Sequence, residues 1–289
     1  MDHSTLTAAE INTMDYNQLI GLVKETNRPP GGYRSIAKIA QFAFLDETSR
    51  VLEIGTSTGV TAIELAKMVG CHIDAIDINS VSIAEAKARA EAEGVDHLIN
   101  FQVMDATRTD FADSTFDMVF CGNVTSLIAS REAAFEEYVR VLRPGGFLAA
   151  IPMYYTVKPS DELLDAVREA IQVDIIPWDR AFWLKFFASD QLERCLLEDY
   201  QFDEQPVRVV EEFNELILSR PDLQTLTPDA SAMLQRKYRE FMLLFRDNLA
   251  HMGFTIMMLR KSGFAAEPEL FTSHLVDGAH ANRYEYSGA

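Results

Sequence analysis

Nine consecutive residues, Val51-Leu52-Glu53-Ile54-Gly55-Thr56-Ser57-Thr58-Gly59, set the terms for any fold of this chain. A short apolar run carries an acid near its end, passes through a glycine-punctuated turn and opens into a helix at Gly59. Glycine there permits positive φ and a close approach of backbone to a ligand, although a plain tight turn uses the same residue. The acid is more selective, because a carboxylate at this strand end repels a pyrophosphate and attracts an ammonium group. The dinucleotide fingerprint is Gly-x-Gly-x-x-Gly, which seats a phosphate on the helix N-terminus. Here Gly55 and Gly59 stand four apart, with Ser57 between them. The pattern points to a nucleotide that carries an amino acid.

The neighbouring segments repeat the theme. His72-Ile73-Asp74-Ala75-Ile76-Asp77-Ile78-Asn79 alternates toward Asp77, and Asn79-Ser80 offers caps for an Ala-rich helix through Arg89. At a second strand tip an acid is placed to accept ribose hydroxyls, the competing reading being a surface acid or cap. Asn100-Phe101-Gln102-Val103-Met104-Asp105-Ala106 again leads into an acid. Phe116 to Cys121 forms a buried-type strand running into Gly122-Asn123. A helix from Arg131 sets Ala134, Phe135, Tyr138, Val141 and Leu142 on one face and stops at Arg143-Pro144-Gly145-Gly146. The strand Phe147 to Met153 follows.

The four motifs, in this order and spacing over residues 47 to 155, resemble the class I S-adenosylmethionine (SAM)-dependent methyltransferases, in particular the small-molecule and quinone-type branch. The resemblance implies an α/β fold with a doubly wound, mostly parallel, seven-stranded Rossmann-like sheet. It also implies SAM as cofactor and S-adenosylhomocysteine as product. Carried over residue by residue, Glu53 faces the methionine ammonium, and Gly55, Thr56, Ser57 and Gly59 line the methionine and ribose. Asp77 binds the ribose hydroxyls, Ile78 packs on adenine, and Asp105 with Ala106 holds the adenine amino edge. Asn123 contacts methionine or substrate after the fourth strand. Ser57 stands where the family more commonly has glycine, and is small enough for the same approach.

Outside this core, three regions are available to build an acceptor site. An N-terminal helical arm, 1–46, holds a helix-like stretch Tyr16 to Lys24, a Pro29-Pro30-Gly31-Gly32 loop and a helix Tyr33 to Phe44. By the resemblance the arm folds over the cofactor, which makes Arg28 a partner for a carboxylate or simply a solvated linker residue. The core, 47–153, is followed by a cap insertion, 154–200. There Tyr154, Tyr155, Trp178 and Asp179 are acceptor-site candidates, and Phe182, Trp183, Phe186 and Phe187 share a helical face. Such a face either encloses a planar or cationic acceptor or packs the underside of a cap.

The segment 201–262 is expected to end the sheet, with strand character at 202–210 and 254–259 and inserted helices over 212–250. Thr227-Pro228 is a helix start. The apolar stripe Leu234, Tyr238, Phe241, Met242, Phe245 and Leu249 either completes the cap or forms the seam of a homodimer. His251 is a further acceptor-side candidate. Residues 263–289 read as a loosely ordered tail.

Composition narrows the partners. The net charge of −18, from 44 acids and 26 bases, argues against a nucleic-acid substrate, which lysine and arginine would have to neutralise. No apolar run is long enough for a membrane span and no basic-then-apolar leader opens the chain. Cys71, Cys121 and Cys195 are odd in number and scattered, no His/Cys cluster has metal-ligand spacing, and the cytoplasm is the expected compartment. The expected function is in-line transfer of the sulfonium methyl to a small molecule, nitrogen or carbon favoured over oxygen because no histidine follows the fourth or fifth strand. The alternatives are a non-methylating SAM-dependent cyclisation or decarboxylation, and a non-catalytic SAM-binding module.

Overall fold

The apolar runs become strands of one sheet in the computed structural model, which describes residues 5–26 and 28–263. The strands are β1 (Arg50–Ile54), β2 (His72–Asp77), β3 (Ile99–Val103), β4 (Phe116–Gly122), β5 (Leu142–Ala150), β6 (Met153–Tyr155), β7 (Leu192–Gln201) and β8 (Met252–Lys261). The helices are α1 (Ala8–Thr13), α2 (Tyr16–Val23), α3 (Gly32–Phe42), α4 (Val60–Val69), α5 (Ser80–Glu93), α6 (Arg131–Val141), α7 (Asp161–Ile171), α8 (Arg180–Phe186), α9 (Val207–Leu218) and α10 (Pro228–Leu249).

The sheet order is β3-β2-β1-β4-β5-β8-β6, with β7 pairing β8 off that path. The pairs from β3 to β5 are parallel and β5–β8 is antiparallel. The chain winds outward from β1 to β3 and returns to the other side of β1 for β4 and β5. That reversal opens a crevice outside the carboxyl ends of β1 and β4, where open α/β sheets bind ligands.

Contacts divide the described residues into two units, the larger made of 28–153, 181–200 and 254–263 and the smaller of 5–26, 154–180 and 201–253. In the larger unit β1, β2, β4 and β5 are apolar on both faces, with Leu52, Ala75, Val119 and Leu148 fully buried, as strands covered on two sides must be. α5 closes over the sheet through the small buried residues Ala86 and Ala90 and is capped by Asn79, whose Oδ1 accepts from Val81 N and Ser82 N. Trp183 and Phe187 of the α8 region are buried, and Phe187 meets Phe135 of α6 edge-on at 5.6 Å. The aromatic stripe is therefore packing inside the sheet unit.

The smaller unit has its own core. Ile11, Leu19 and Val23 of the arm pack with Ile217, Leu223, Leu234 and Tyr238. Capping boxes at Thr7 and Asp15 start α1 and α2. Thr227 caps α10, accepting from Ala230 N, with Pro228 at the first helical position. Along α10 the stripe turns inward, with Phe241 and Phe245 against Tyr16 at 5.7 and 4.4 Å. These two residues of the stripe are thus used in packing within their own unit.

The structure departs from the sequence expectations in four places. The sheet has eight strands, because Pro152 lacks an N–H and splits the expected fifth strand into β5 and the short β6. The Arg143–Gly146 run lies inside β5 at a register irregularity against β4, so no separate turn precedes the strand. The strand expected at 202–210 is β7, ending at Gln201; Pro206 caps a helix instead, and the β-branched start of α9 mimicked a strand. The division of the chain also differs: residues 28–46 and 181–200 go with the sheet, while 154–180 join the arm. Of the expected tail, 264–289 lie outside the described residues.

Candidate cofactor site

At the carboxyl end of β1 the chain turns with Gly55 at φ +69° and Ser57 at φ +49°. Gly55 N and Thr56 N both donate to Ile76 O, at 2.8 and 3.0 Å, which ties the turn to β2. A Cβ on Gly55 would lie 2.4 Å from Val124 Cγ2, and one on Gly59 2.9 Å from Ala86 Cβ. Both glycines are therefore required by space as well as by φ.

Glu53 is 3% exposed, and its Oε2 accepts from Thr56 Oγ1 at 2.7 Å and from Ala62 N at 3.1 Å. Thr61 donates to it as well, and burial pushes its carboxyl up to about 7, opposed by these three donors. α4 begins at Gly59, which has no side chain to cap it. Glu53 takes that role from the strand, satisfying an orphan amide of the first turn. The carboxylate expected to face an ammonium thus first holds the turn and helix together. Thr56 is its donor, whereas Thr61 and Ala62 went unnoticed in the sequence. The signal was there: a helix with a glycine cap, preceded six residues upstream by a buried-strand acid.

Asp77, at the tip of β2, reaches back to the turn. Its Oδ2 accepts from Ser57 N at 2.9 Å and its Oδ1 from Asn79 N at 2.9 Å. A carboxylate oxygen accepts more than one hydrogen bond, so capacity for a diol remains. Ile78 beside it is 76% exposed, an apolar face held in the open at a strand tip. Past the tip of β3, Asp105 Oδ1 takes both donors of Thr107 at 2.8 Å, which lowers its pKa, and Oδ2 makes no hydrogen bond among the described residues. Ala106 is buried next to it. Thr58 Oγ1, within the turn, is buried without a hydrogen-bond partner among the described residues.

Asn123 follows β4, and its Oδ1 accepts from Met153 N at 2.9 Å. Arg28 is exposed in the loop before α3. These residues belong to the larger unit. The acceptor-side candidates Tyr154, Tyr155, Trp178, Asp179 and His251 all belong to the smaller one. Within it, Tyr155 Oη donates to Asn248 Oδ1 at 2.8 Å, and Trp178 O accepts from Tyr155 N. His251 Nδ1 lies 2.9 Å from Asp247 O. Tyr155 is thereby engaged in holding α10 to β6.

The donor set suits an adenosyl amino acid. Acids stand at three successive strand tips, an exposed isoleucine adjoins the middle one, and an orphaned hydroxyl lies in a turn with no room for a Cβ. Among the described residues no group of three or more His, Cys, Asp or Glu could hold a metal ion. No helix among them is long and apolar enough to cross a membrane.

Residues 51–146 match the family model described as a methyltransferase domain. An uncharacterized protein of Haemophilus influenzae is 32% identical over 174 residues, covering 60% of this chain and 69% of that protein. A sterol 24-C-methyltransferase of Gibberella zeae is 29% identical over 126 residues, covering 44% of this chain. The match spans 33% of that enzyme's length. Among solved structures, the crystal structure of the MccD protein superposes with a TM-score of 0.71 at 24% identity. That superposition covers 82% of this chain and 100% of that one, a likeness of fold.

Proposed function

Since this chain belongs to the class I SAM-dependent methyltransferases, we propose that it moves the methyl group of SAM to a small-molecule acceptor. The observation that carries this reading is the row of acids at adjacent parallel strands, Glu53 on β1, Asp77 at the tip of β2 and Asp105 after β3, beside a turn closed by Gly55 and Gly59. When bound, SAM supplies an electrophilic sulfonium methyl.

The chain's own residues then hold and orient. Asp77 keeps the Ser57 amide in place and offers its remaining lone pairs to the ribose. Ile78 and Ala106 flank the adenine, and Asp105 Oδ2 accepts from its amino group. Glu53 sets the shape of the turn and contributes negative charge behind it. Thr58 Oγ1 gains a partner on binding. Arg28 pairs with a carboxylate from the loop before α3. Orientation of this kind lowers a barrier by roughly 7–11 kcal/mol in favourable cases, so a general base is needed only where the acceptor must lose a proton.

Nitrogen or activated carbon is the expected nucleophile, because no histidine lies at the tips of β4 or β5. Three buried free thiols, Cys71, Cys121 and Cys195, support a reducing compartment such as the cytoplasm. The test is Asp77→Ala measured by calorimetry. SAM affinity falls by about tenfold or more, since a hydrogen bond to a charged group is worth roughly 1.5–3 kcal/mol. Unchanged affinity in a folded variant removes Asp77 from the site. Methyl-labelled SAM with a metabolite extract then identifies the product, with S-adenosylhomocysteine formed in equal amount.

A further inference from the structure

A run of buried polar groups leads from α6, through the loop after β4, to β5. Tyr138 Oη of α6 lies 3.4 Å from Thr125 Oγ1, and both residues are buried. Thr125 also hydrogen-bonds the Cys121 thiol of β4, and Cys121 Sγ donates to Ala149 O of β5 at 3.7 Å. Burial pushes the Cys121 thiol up to about 12 and the Tyr138 hydroxyl well above its ordinary value, so both keep their protons. The direction of the run follows by elimination. A carbonyl only accepts, so the single thiol hydrogen goes to Ala149 O. The Thr125 hydrogen then goes to sulfur, and the Tyr138 hydrogen goes to Thr125 Oγ1. Among the described residues Tyr138 Oη has no other hydrogen-bond partner.

Thr125 sits in the 3-10 turn Val124–Leu127, which Ser126 Oγ tightens by donating to Asn123 O at 2.7 Å. Its neighbour Val124 lies against the turn after β1. A Cβ on Gly55 would fall 2.4, 2.7 and 3.0 Å from three Val124 side-chain carbons. The anchored hydroxyl is thus one residue from the side chain that backs Gly55. Valine and phenylalanine would fill the same buried space with no hydroxyl to satisfy. What the hydroxyl pair adds is a fixed placement of this turn.

We propose that Tyr138 and Thr125 are positioning residues for the cofactor turn, their hydrogen bond holding Val124 against Gly55 and so keeping the turn shaped for SAM. The inference rests on the methyl-transfer reading above. Tyr138 is fully buried and acts through Thr125 and Val124.

Tyr138→Phe keeps the ring and removes the hydroxyl, and Thr125→Ser keeps the hydroxyl that Thr125→Val removes. SAM affinity is read by calorimetry on each folded protein. Tyr138→Phe and Thr125→Val are expected to weaken it about threefold or more, as for a lost neutral hydrogen bond. Thr125→Ser is expected to retain wild-type affinity. A role in packing alone would lower the melting temperature and leave affinity unmoved. The route is tested in a Val124→Ala background, where Tyr138→Phe has little further effect because both changes act on one turn. Amide exchange at Gly55 and Thr56, whose N–H groups donate to Ile76 O, reads that turn with no ligand present. It is expected to quicken in Tyr138→Phe. Should Tyr138→Phe not fold, Thr125→Val against Thr125→Ser carries the test. Folded variants with wild-type affinity overturn the inference, as does a loss of equal size with and without the Val124 side chain. A wild-type protein that binds no SAM overturns the methyl-transfer reading, and exchange at the Gly55 turn then decides whether Tyr138 holds it.

Discussion

The buried carboxyl of Glu53 makes the strongest residue-scale prediction. Burial pushes it up from 4.5 to about 7, with the negative charge of Asp77 adding to the rise. The folded chain therefore holds this proton more tightly than the unfolded chain does. Its contribution to stability is fully present below the unfolded value near 4.5 and is lost as pH rises through about 7. The most it is worth is about 3 kcal/mol. Ligand-free protein is expected to melt at a lower temperature at pH 8 than at pH 6. Glu53→Gln, which keeps an acceptor for Thr56 and Ala62, flattens that difference; an unaltered difference in the variant assigns it to other groups. A ligand ammonium makes the opposite demand, because it favours the ionised carboxylate. SAM affinity therefore rises with pH across the same window in wild type and stays level in Glu53→Gln, as calorimetry would show. Glu53, Asp77 and Asp105 were legible in the sequence because each closes or adjoins an apolar run of strand length. What Glu53 touches was not, since Thr61 and Ala62 approach it only once α4 is folded back over β1.

Elements were readable where periodicity is local and misread where packing overrides it. β1, β2 and α5 announce themselves through alternation, a cap at Asn79 and a Gly94 stop at φ +71°. β7 did not, because Glu193, Glu198 and Asp199 interrupt a strand that only β8 requires. α9 begins Val207-Arg208-Val209-Val210, whose three valines favour a strand, yet Pro206 at the cap and the inward face of Val210, Asn214 and Ile217 fold it as helix. The end of α2 is held by partners about two hundred residues away, which no sequence window reveals. Arg220 donates to Val23 O at 2.6 Å and to Lys24 O at 2.9 Å, and Tyr238 Oη donates to Glu25 Oε2 at 2.6 Å. Tyr238→Phe removes the last of these while keeping the buried ring in place. A hydrogen bond to a charged group is worth roughly 1.5–3 kcal/mol, so amide exchange over Leu19–Val23 is expected to accelerate about tenfold or more if it follows local opening. Exchange that stays at the wild-type rate would assign the hold on α2 to Arg220 and the apolar core alone.

At the scale of the whole molecule, the two units are interleaved in sequence: the arm and the insertion before β8 converge on one core that neither forms alone, and the segment after β6 belongs to the same unit. Ile11, Leu19, Leu22 and Val23 of the two short arm helices are buried together with Ile217, Leu223 and Leu234. The other property that belongs to no single element is charge. The chain carries 44 acids against 26 bases, and many of the bases are already paired. Arg140 serves both Glu137 and Asp113, and Arg246 serves both Glu204 and Asp247. The surplus is therefore acid facing solvent, and its mutual repulsion opposes the compact state. Screening should relieve it, because the Debye length falls from about 30 Å at 0.01 M salt to about 8 Å at 0.15 M. Raising potassium chloride over that range is expected to move the urea midpoint upward, with the steepest gain at the low-salt end. Local ion pairs push the other way, since salt weakens them, so the direction of the shift decides which dominates. A midpoint that falls with salt would mean that the pairs outweigh the surplus. The same surplus predicts that duplex DNA produces no mobility shift at physiological salt, and a shift would reveal a basic face that the net charge conceals.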